Sequence, residues 1–159
     1  MFDRYLRFVP RLRRLKDNKR GVYFERMIAF PAYDADQPLN QLKTILDFWH
    51  AGTNRKSAFQ VTTWCPERDL SKSPYARFPC LQHVAFTPMG NELSVTAFYA
   101  TQYLIKRGYG NYLGLCRLGA FMAHEMRLRL TRFTCYAAHV PAEESKAELR
   151  SLVTTLEAV

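Results

Sequence analysis

No apolar run in the 159-residue chain approaches the roughly 20 residues that a membrane-spanning helix requires. The opening stretch MFDRYLRFVPRLRRLK places arginines where a secretory leader needs uninterrupted apolar residues, so a cytoplasmic setting is expected. Cysteine is sparse: Cys65, Cys80, Cys116 and Cys135 are too far apart for a zinc knuckle and too few for a secreted disulfide framework. Reduced thiols and no metal site are therefore expected. Internal repeats and low-complexity segments are absent too. With 48% hydrophobic and 14% aromatic residues against 23% charged, the composition excludes a disordered or collagen-like chain and leaves one ordered domain with a real core.

What the chain has in excess is positive charge, a formal +9. Residues 1–20 hold eight Lys or Arg against two acids, so +6 of that excess sits in a basic N-terminal arm before a nearly balanced core of residues 21–159. Tyr5, Leu6, Phe8, Val9, Leu12 and Leu15 interleave with the cations at a helix-like period broken by Pro10. Such a segment suits nucleic acid or another anionic partner; equally, it suits an arm that packs its apolar stripe on the body.

Along the core, Val22 to Phe30 reads as a strand stopped by Pro31. Asp36 is the expected N-cap of a helix with Pro38 in its first turn, an apolar face of Leu39, Leu42, Ile45, Leu46 and Trp49, and a stop at Ala51 and Gly52. Ser57 to Trp64 reads as a strand because it is β-branched and aromatic, and a polar loop is expected from Pro66 to Arg77. Leu81–Thr87 and Leu93–Tyr99, joined through Pro88, Met89, Gly90 and Asn91, form the strongest hairpin signal. A helix over 111–125 follows with Leu115, Leu118, Met122 and Met126 on one face, then a strand over 128–140. A last helix is expected from Pro141, with a stripe of Leu149, Leu152, Val153 and Leu156. Mixed strands and helices with an antiparallel hairpin assign the chain to the α+β class.

Cys80 is the candidate nucleophile: it follows Pro79 and opens a strand, and a thiolate held near arginines attacks electrophilic carbon. Read in order, Asn40-Gln41-Leu42-Lys43, Asn54-Arg55-Lys56, Trp64, Phe78-Pro79-Cys80, Asn91-Glu92-Leu93-Ser94 and Tyr112-Leu113-Gly114-Leu115 resemble the thymidylate synthase and pyrimidine (dCMP) hydroxymethylase family from about Val22 to His139. The resemblance implies a single-domain, thymidylate-synthase-like mixed sheet with packed helices. It also implies that the Cys80 thiolate adds to C6 of a pyrimidine nucleotide, so that C5 attacks a one-carbon donor, methylenetetrahydrofolate. A homodimer is implied as well, in which one subunit lends Arg55 and Lys56 to the phosphate site of the other. Lys56 stands where the family has Arg and forfeits the planar fork. Arg107 aligns with a further phosphate-binding Arg, and His83 and His139 are the candidate nucleotide-binding histidines.

The departures shape the expectation equally. Leu81 replaces the histidine that follows the family's nucleophile, with His83 two places on and on the same side in a regular strand. Gly110 stands for an Asp, Leu118 for the Asn that reads the pyrimidine edge, and Pro141 ends a motif of which only His139 remains. The chain is expected to be a shortened, divergent member without the family's N-terminal phosphate-loop Arg, its catalytic Glu or its closing C-terminal segment. Three functions stay open: one-carbon transfer to pyrimidine C5 through Cys80, an inactive relative that binds nucleotide or RNA or regulates a partner, or an interaction subunit that keeps only the homodimer face.

Overall fold

The computed structural model describes residues 10, 11, 14, 22–31, 37–70, 72, 79–141 and 144–157. Most of the basic arm, Asp36 and the segment immediately before Pro79 lie outside them.

The described chain runs α1 (Tyr23–Ile28), α2 (Gln41–His50), a 3-10 turn (Lys56–Ala58), β1 (Gln60–Thr62), α3 (Pro66–Asp69), β2 (Leu81–Met89) and β3 (Glu92–Tyr99). A π-helical turn (Leu104–Gly108), α4 (Tyr109–Glu125), β4 (Arg129–Ala137) and α5 (Lys146–Glu157) complete it. The four strands form one sheet in the order β1-β2-β3-β4, antiparallel except for the parallel β3–β4 pair that α4 connects, so the α+β class holds.

The hairpin forms as the alternation requires. Gly90 takes a φ of 58°, a left-handed conformation open to glycine without steric cost, and Val84, Phe86, Leu93, Val95 and Ala97 point to one face with at most 1% exposure. α4 lies on that face at Gly119, where an added Cβ would come within 3.0 Å of Val95 Cγ2 and 3.3 Å of Leu130 Cδ1. Gly119→Val is therefore expected to overpack the core and cost about 1–3 kcal/mol, read as a lower urea midpoint with an unchanged slope.

Three local expectations are corrected. Residues 23–28 form a helix, not a strand: Glu25 caps it by accepting from Val22 N–H at 3.1 Å, and Tyr23, Arg26 and Met27 share its inward side at helical spacing. The next helix starts at Gln41 because Asn40, not Asp36, accepts from Lys43 N–H at 3.0 Å, while Leu39 instead bridges to Phe30. The strand expected over 57–64 shrinks to Gln60–Thr62, since the 3-10 turn takes Lys56–Ala58 and a short helix opens at Pro66.

α5 carries its apolar stripe outward: Leu152, Val153 and Leu156 are 45%, 51% and 67% exposed. No helix among the described residues is long and apolar enough to cross a membrane.

Candidate functional site

Strand direction assembles the site. β2 begins where antiparallel β3 and its parallel neighbour β4 end, so Cys80, Tyr99, Ala137 and His139 gather at one edge of the sheet. α4 runs back from β3 to the start of β4, which lays its N-terminus and the preceding π-helical turn beside that edge. Cys80 C=O accepts from Ala100 N–H at 2.9 Å, Ala138 N–H donates to Tyr99 C=O at 2.9 Å, and Gln102 N–H donates to His139 C=O at 2.9 Å. These bonds fix the edge as one framework.

Among the described residues, two thiols and three phenols project onto it. The Tyr23 hydroxyl hydrogen-bonds to Cys80 Sγ and reaches the backbone at Cys80 and Leu81. Its ring meets the Tyr99 ring edge-on at 6.3 Å between centroids. On the other side of Tyr99, Tyr112 hydrogen-bonds to Cys135, with its ring 6.2 Å from Phe133. The Tyr99 hydroxyl is buried with no hydrogen-bond partner among the described residues. All four cysteines are free thiols.

Burial dominates the electrostatics. It pushes the Cys80 thiol above the ordinary range, against the opposing pull of the Tyr23 hydrogen bond and the Arg107 charge. The same cause raises Cys135, opposed by the Tyr112 hydrogen bond. Burial, with the Cys80 thiol beside it, pushes Tyr23 up to about 12, and burial raises Tyr99 as well. Tyr23 thus stays a hydrogen-bond donor throughout the neutral range.

A raised phenol makes stability depend on alkaline pH. The native state holds the Tyr23 proton more tightly than the unfolded chain, so the associated stabilisation is complete below pH 10 and is lost as pH climbs from 10.0 through about 12. Urea unfolding at stepped pH is expected to show this decline, and Tyr23→Phe is expected to lessen it, leaving the share that the raised Tyr99 phenol contributes.

Of the residues singled out by sequence, Arg107 and His139 come to the Cys80 edge. Arg107 lies at the end of the π-helical turn, close enough to Cys80 for its charge to act on the thiol, with its guanidinium 5.7 Å from the centre of the Tyr103 ring. Arg55 and Lys56 do not come there. They precede β1, which runs antiparallel to β2 in the register Gln60 to Ala85, so they sit toward the hairpin end of β2, with Arg55 Nε donating to Ser57 Oγ at 2.9 Å. His83 also points away. A bulge between Leu81 and His83 pairs Leu81 with Tyr99 but His83 with Phe98, which turns His83 to the opposite face, against Gln60. The same-side placement expected for a regular strand is therefore corrected.

That second face is open, with Tyr136 61% exposed and its ring stacked on Phe98 at 5.6 Å. Leu118 is in the core, while Asn111 lies two turns earlier on the same stripe of α4, half-buried and toward the Cys80 edge. Tyr23 is missing from the sequence-based candidates because Val22 to Phe30 reads as a strand. Read with a period of 3.6, Tyr23, Arg26 and Met27 fall on one face.

No protein-family model matches the chain. Over 117 residues the chain is 26% identical to a protein of Methanocaldococcus jannaschii named "Putative thymidylate synthase", an alignment that covers 72% of this chain and 51% of that protein. The chain spans about half the length of the curated relative it matches. The similarity is thymidylate-synthase-like and extends over most of the core.

Proposed function

We propose that this protein binds a pyrimidine nucleotide and transfers a one-carbon unit to C5 of its base, with Cys80 as the nucleophile. The observation that carries this reading is the Cys80 thiol, hydrogen-bonded to Tyr23 and within the field of Arg107 at the sheet edge. With its proton given up to solvent water, the thiolate Sγ bonds to C6 and the C5–C6 double-bond electrons move to C5 and the neighbouring carbonyl oxygen. Once C5 has bonded to the one-carbon unit, loss of the C5 proton to water re-forms the double bond and expels the thiolate. Tyr23, held up to about 12, donates a hydrogen bond to sulfur and is not the base that takes the proton. Arg107 favours the thiolate and offers a cation to the phosphate. Asn111 supplies an amide on the α4 stripe facing the base, and His139 stands at the strand end for the sugar.

A reduced folate suits the neighbouring surface: Leu104, Ile105 and Tyr109 are 48%, 43% and 80% exposed beside Arg107, an apolar seat for an aromatic ring system next to a cation for its carboxylates. When bound there, the folate supplies the one-carbon unit.

The direct test is intact mass spectrometry after incubation with a 5-fluoropyrimidine nucleotide, with and without methylenetetrahydrofolate. A mass gain located at Cys80 supports the reading; a chain that gains no mass under either condition removes it.

The phosphate clamp requires a homodimer, because Arg55 and Lys56 lie away from Cys80 within one chain. A second copy seated on the open face of the sheet brings them across. Sedimentation over a concentration series is expected to show a dimer, dispersed by Tyr136→Glu. A monomer at every concentration would remove the shared clamp.

One observation favours a second reading, a nucleotide- or RNA-binding relative without catalysis: the net effect on Cys80 is upward, so the resting thiol is protonated at neutral pH. RNA binding through the basic arm would weaken steeply with salt and vanish on deletion of residues 1–20.

A further inference from the structure

Arg26 and Asp69 form a buried ion pair, 8% and 3% exposed. Both terminal guanidinium nitrogens engage the carboxylate: Nη2 donates to Oδ1 at 2.9 Å, and Nη1 contacts Oδ2 while also donating to Thr63 C=O at 2.8 Å. The carboxylate also accepts from Cys65 N–H at 2.8 Å, the N-cap of α3. Gln41 Nε2 donates to Arg26 C=O at 3.0 Å and to Thr62 C=O at 2.8 Å, and Gln41 Oε1 accepts from Thr62 N–H at 2.9 Å. Thr63 continues the network toward the thiol: its N–H donates to Gln82 C=O at 2.9 Å and its hydroxyl donates to Leu81 C=O, the residue after Cys80.

Such a network is more than stability demands. A buried ion pair gains about as much in Coulomb attraction as it loses in desolvation, so a well-packed apolar pair would hold these elements equally well. What the bidentate geometry adds is orientation. The element it orients is α1, whose six residues are too few to be stable as an isolated helix. Tyr23 lies three residues before Arg26, less than one turn away, and so on the same side of that helix. α1 is thereby tied twice to the start of β2, through Arg26, Thr63 and Leu81 and through the Tyr23 hydroxyl on Cys80.

We propose that the Arg26–Asp69 pair is a positioning device for the reactive thiol, locking α1 so that the Tyr23 hydroxyl stays on Cys80 Sγ. Arg26 and Asp69 are positioning residues that act through Tyr23. The proposal rests on Cys80 as the reactive thiol, and it holds whether or not the substrate is a pyrimidine.

The test follows alkylation of Cys80 by iodoacetamide against pH in the full chain, read by mass spectrometry of the Cys80 peptide. Temperatures are chosen at which far-ultraviolet circular dichroism shows each variant folded. Tyr23→Phe is expected to raise the pH midpoint, cutting the rate below the midpoint about tenfold, the effect of one pH unit in thiolate fraction. Arg26→Lys and Asp69→Asn are expected to shift it the same way alone, and to add nothing in the Tyr23→Phe background. Met122→Ala, a core cavity elsewhere, controls for lost stability and is expected to leave the midpoint in place. If Asp69→Asn does not fold, Arg26→Lys, which keeps the charge, decides alone. An unmoved midpoint in Arg26→Lys overturns the proposal, as does an equal shift with and without Tyr23, or no response to Tyr23→Phe itself. Failure of the fluoropyrimidine experiment with these shifts intact would instead remove only the substrate.

Discussion

Cys80→Ser is expected to abolish covalent capture of a 5-fluoropyrimidine nucleotide and to lower any one-carbon transfer by at least about a thousandfold. A serine hydroxyl ionises far above the thiol range, and Tyr23, at about 12, is a donor to it and not a base. No other thiol replaces the lost one. Cys65 is buried at the cap of α3, Cys116 lies along α4, and Cys135 sits on β4, engaged by Tyr112 and separated from Cys80 by strand β3. Nucleotide binding is expected to persist, because the phosphate cations are untouched. Intact mass and equilibrium dialysis separate the two effects. An adduct that survives in Cys80→Ser and disappears in Cys135→Ser would move the nucleophile to the second thiol.

Asp69→Ala is expected to destabilise the fold by about 3–5 kcal/mol, a large share of the stability of a domain this size. The cost comes less from lost attraction than from what remains: the Arg26 guanidinium, almost fully buried, would keep its charge and its bond to Thr63 C=O but lose the carboxylate fork. Cys65 N–H would lose its acceptor as well. Replacing both partners by apolar residues of similar volume, Arg26→Met with Asp69→Leu, is expected to recover much of the loss, since it removes the stranded charge. Urea unfolding of the two chains gives the comparison. A double variant no more stable than Asp69→Ala would mean that the bidentate pair itself, not avoidance of an unpaired charge, holds α1 in place.

Much of the α+β core was legible in the pattern of the chain. Alternation in 81–87 and 93–99 around a glycine turn specified the hairpin, and the 3.6-residue period from Leu115 to Met126 specified α4, because both signals arise from burying one face of a regular element. Failure came where local chemistry competed with pattern. Val22 to Phe30, rich in apolar and aromatic residues, reads as a strand, yet the Glu25 cap and the buried Arg26 make 23–28 a helix. Asn40 displaced Asp36 as a cap for the same kind of reason.

For the candidate site, the chain by itself singled out Cys80 through residue type and its place after Pro79, the family resemblance added Arg107, and composition located the excess charge in the first twenty residues. Only the tertiary structure decided which groups surround the thiol. Tyr23 reaches Cys80 across 57 residues of sequence by helix packing, Tyr112 and Cys135 meet because α4 folds back over β4, and a single bulge sends His83 to the opposite face. Register, strand direction and burial produce these outcomes. They depend on contacts between segments distant in sequence, so no local run of residues records them, and they also determine that burial outweighs the nearby cation at the thiol.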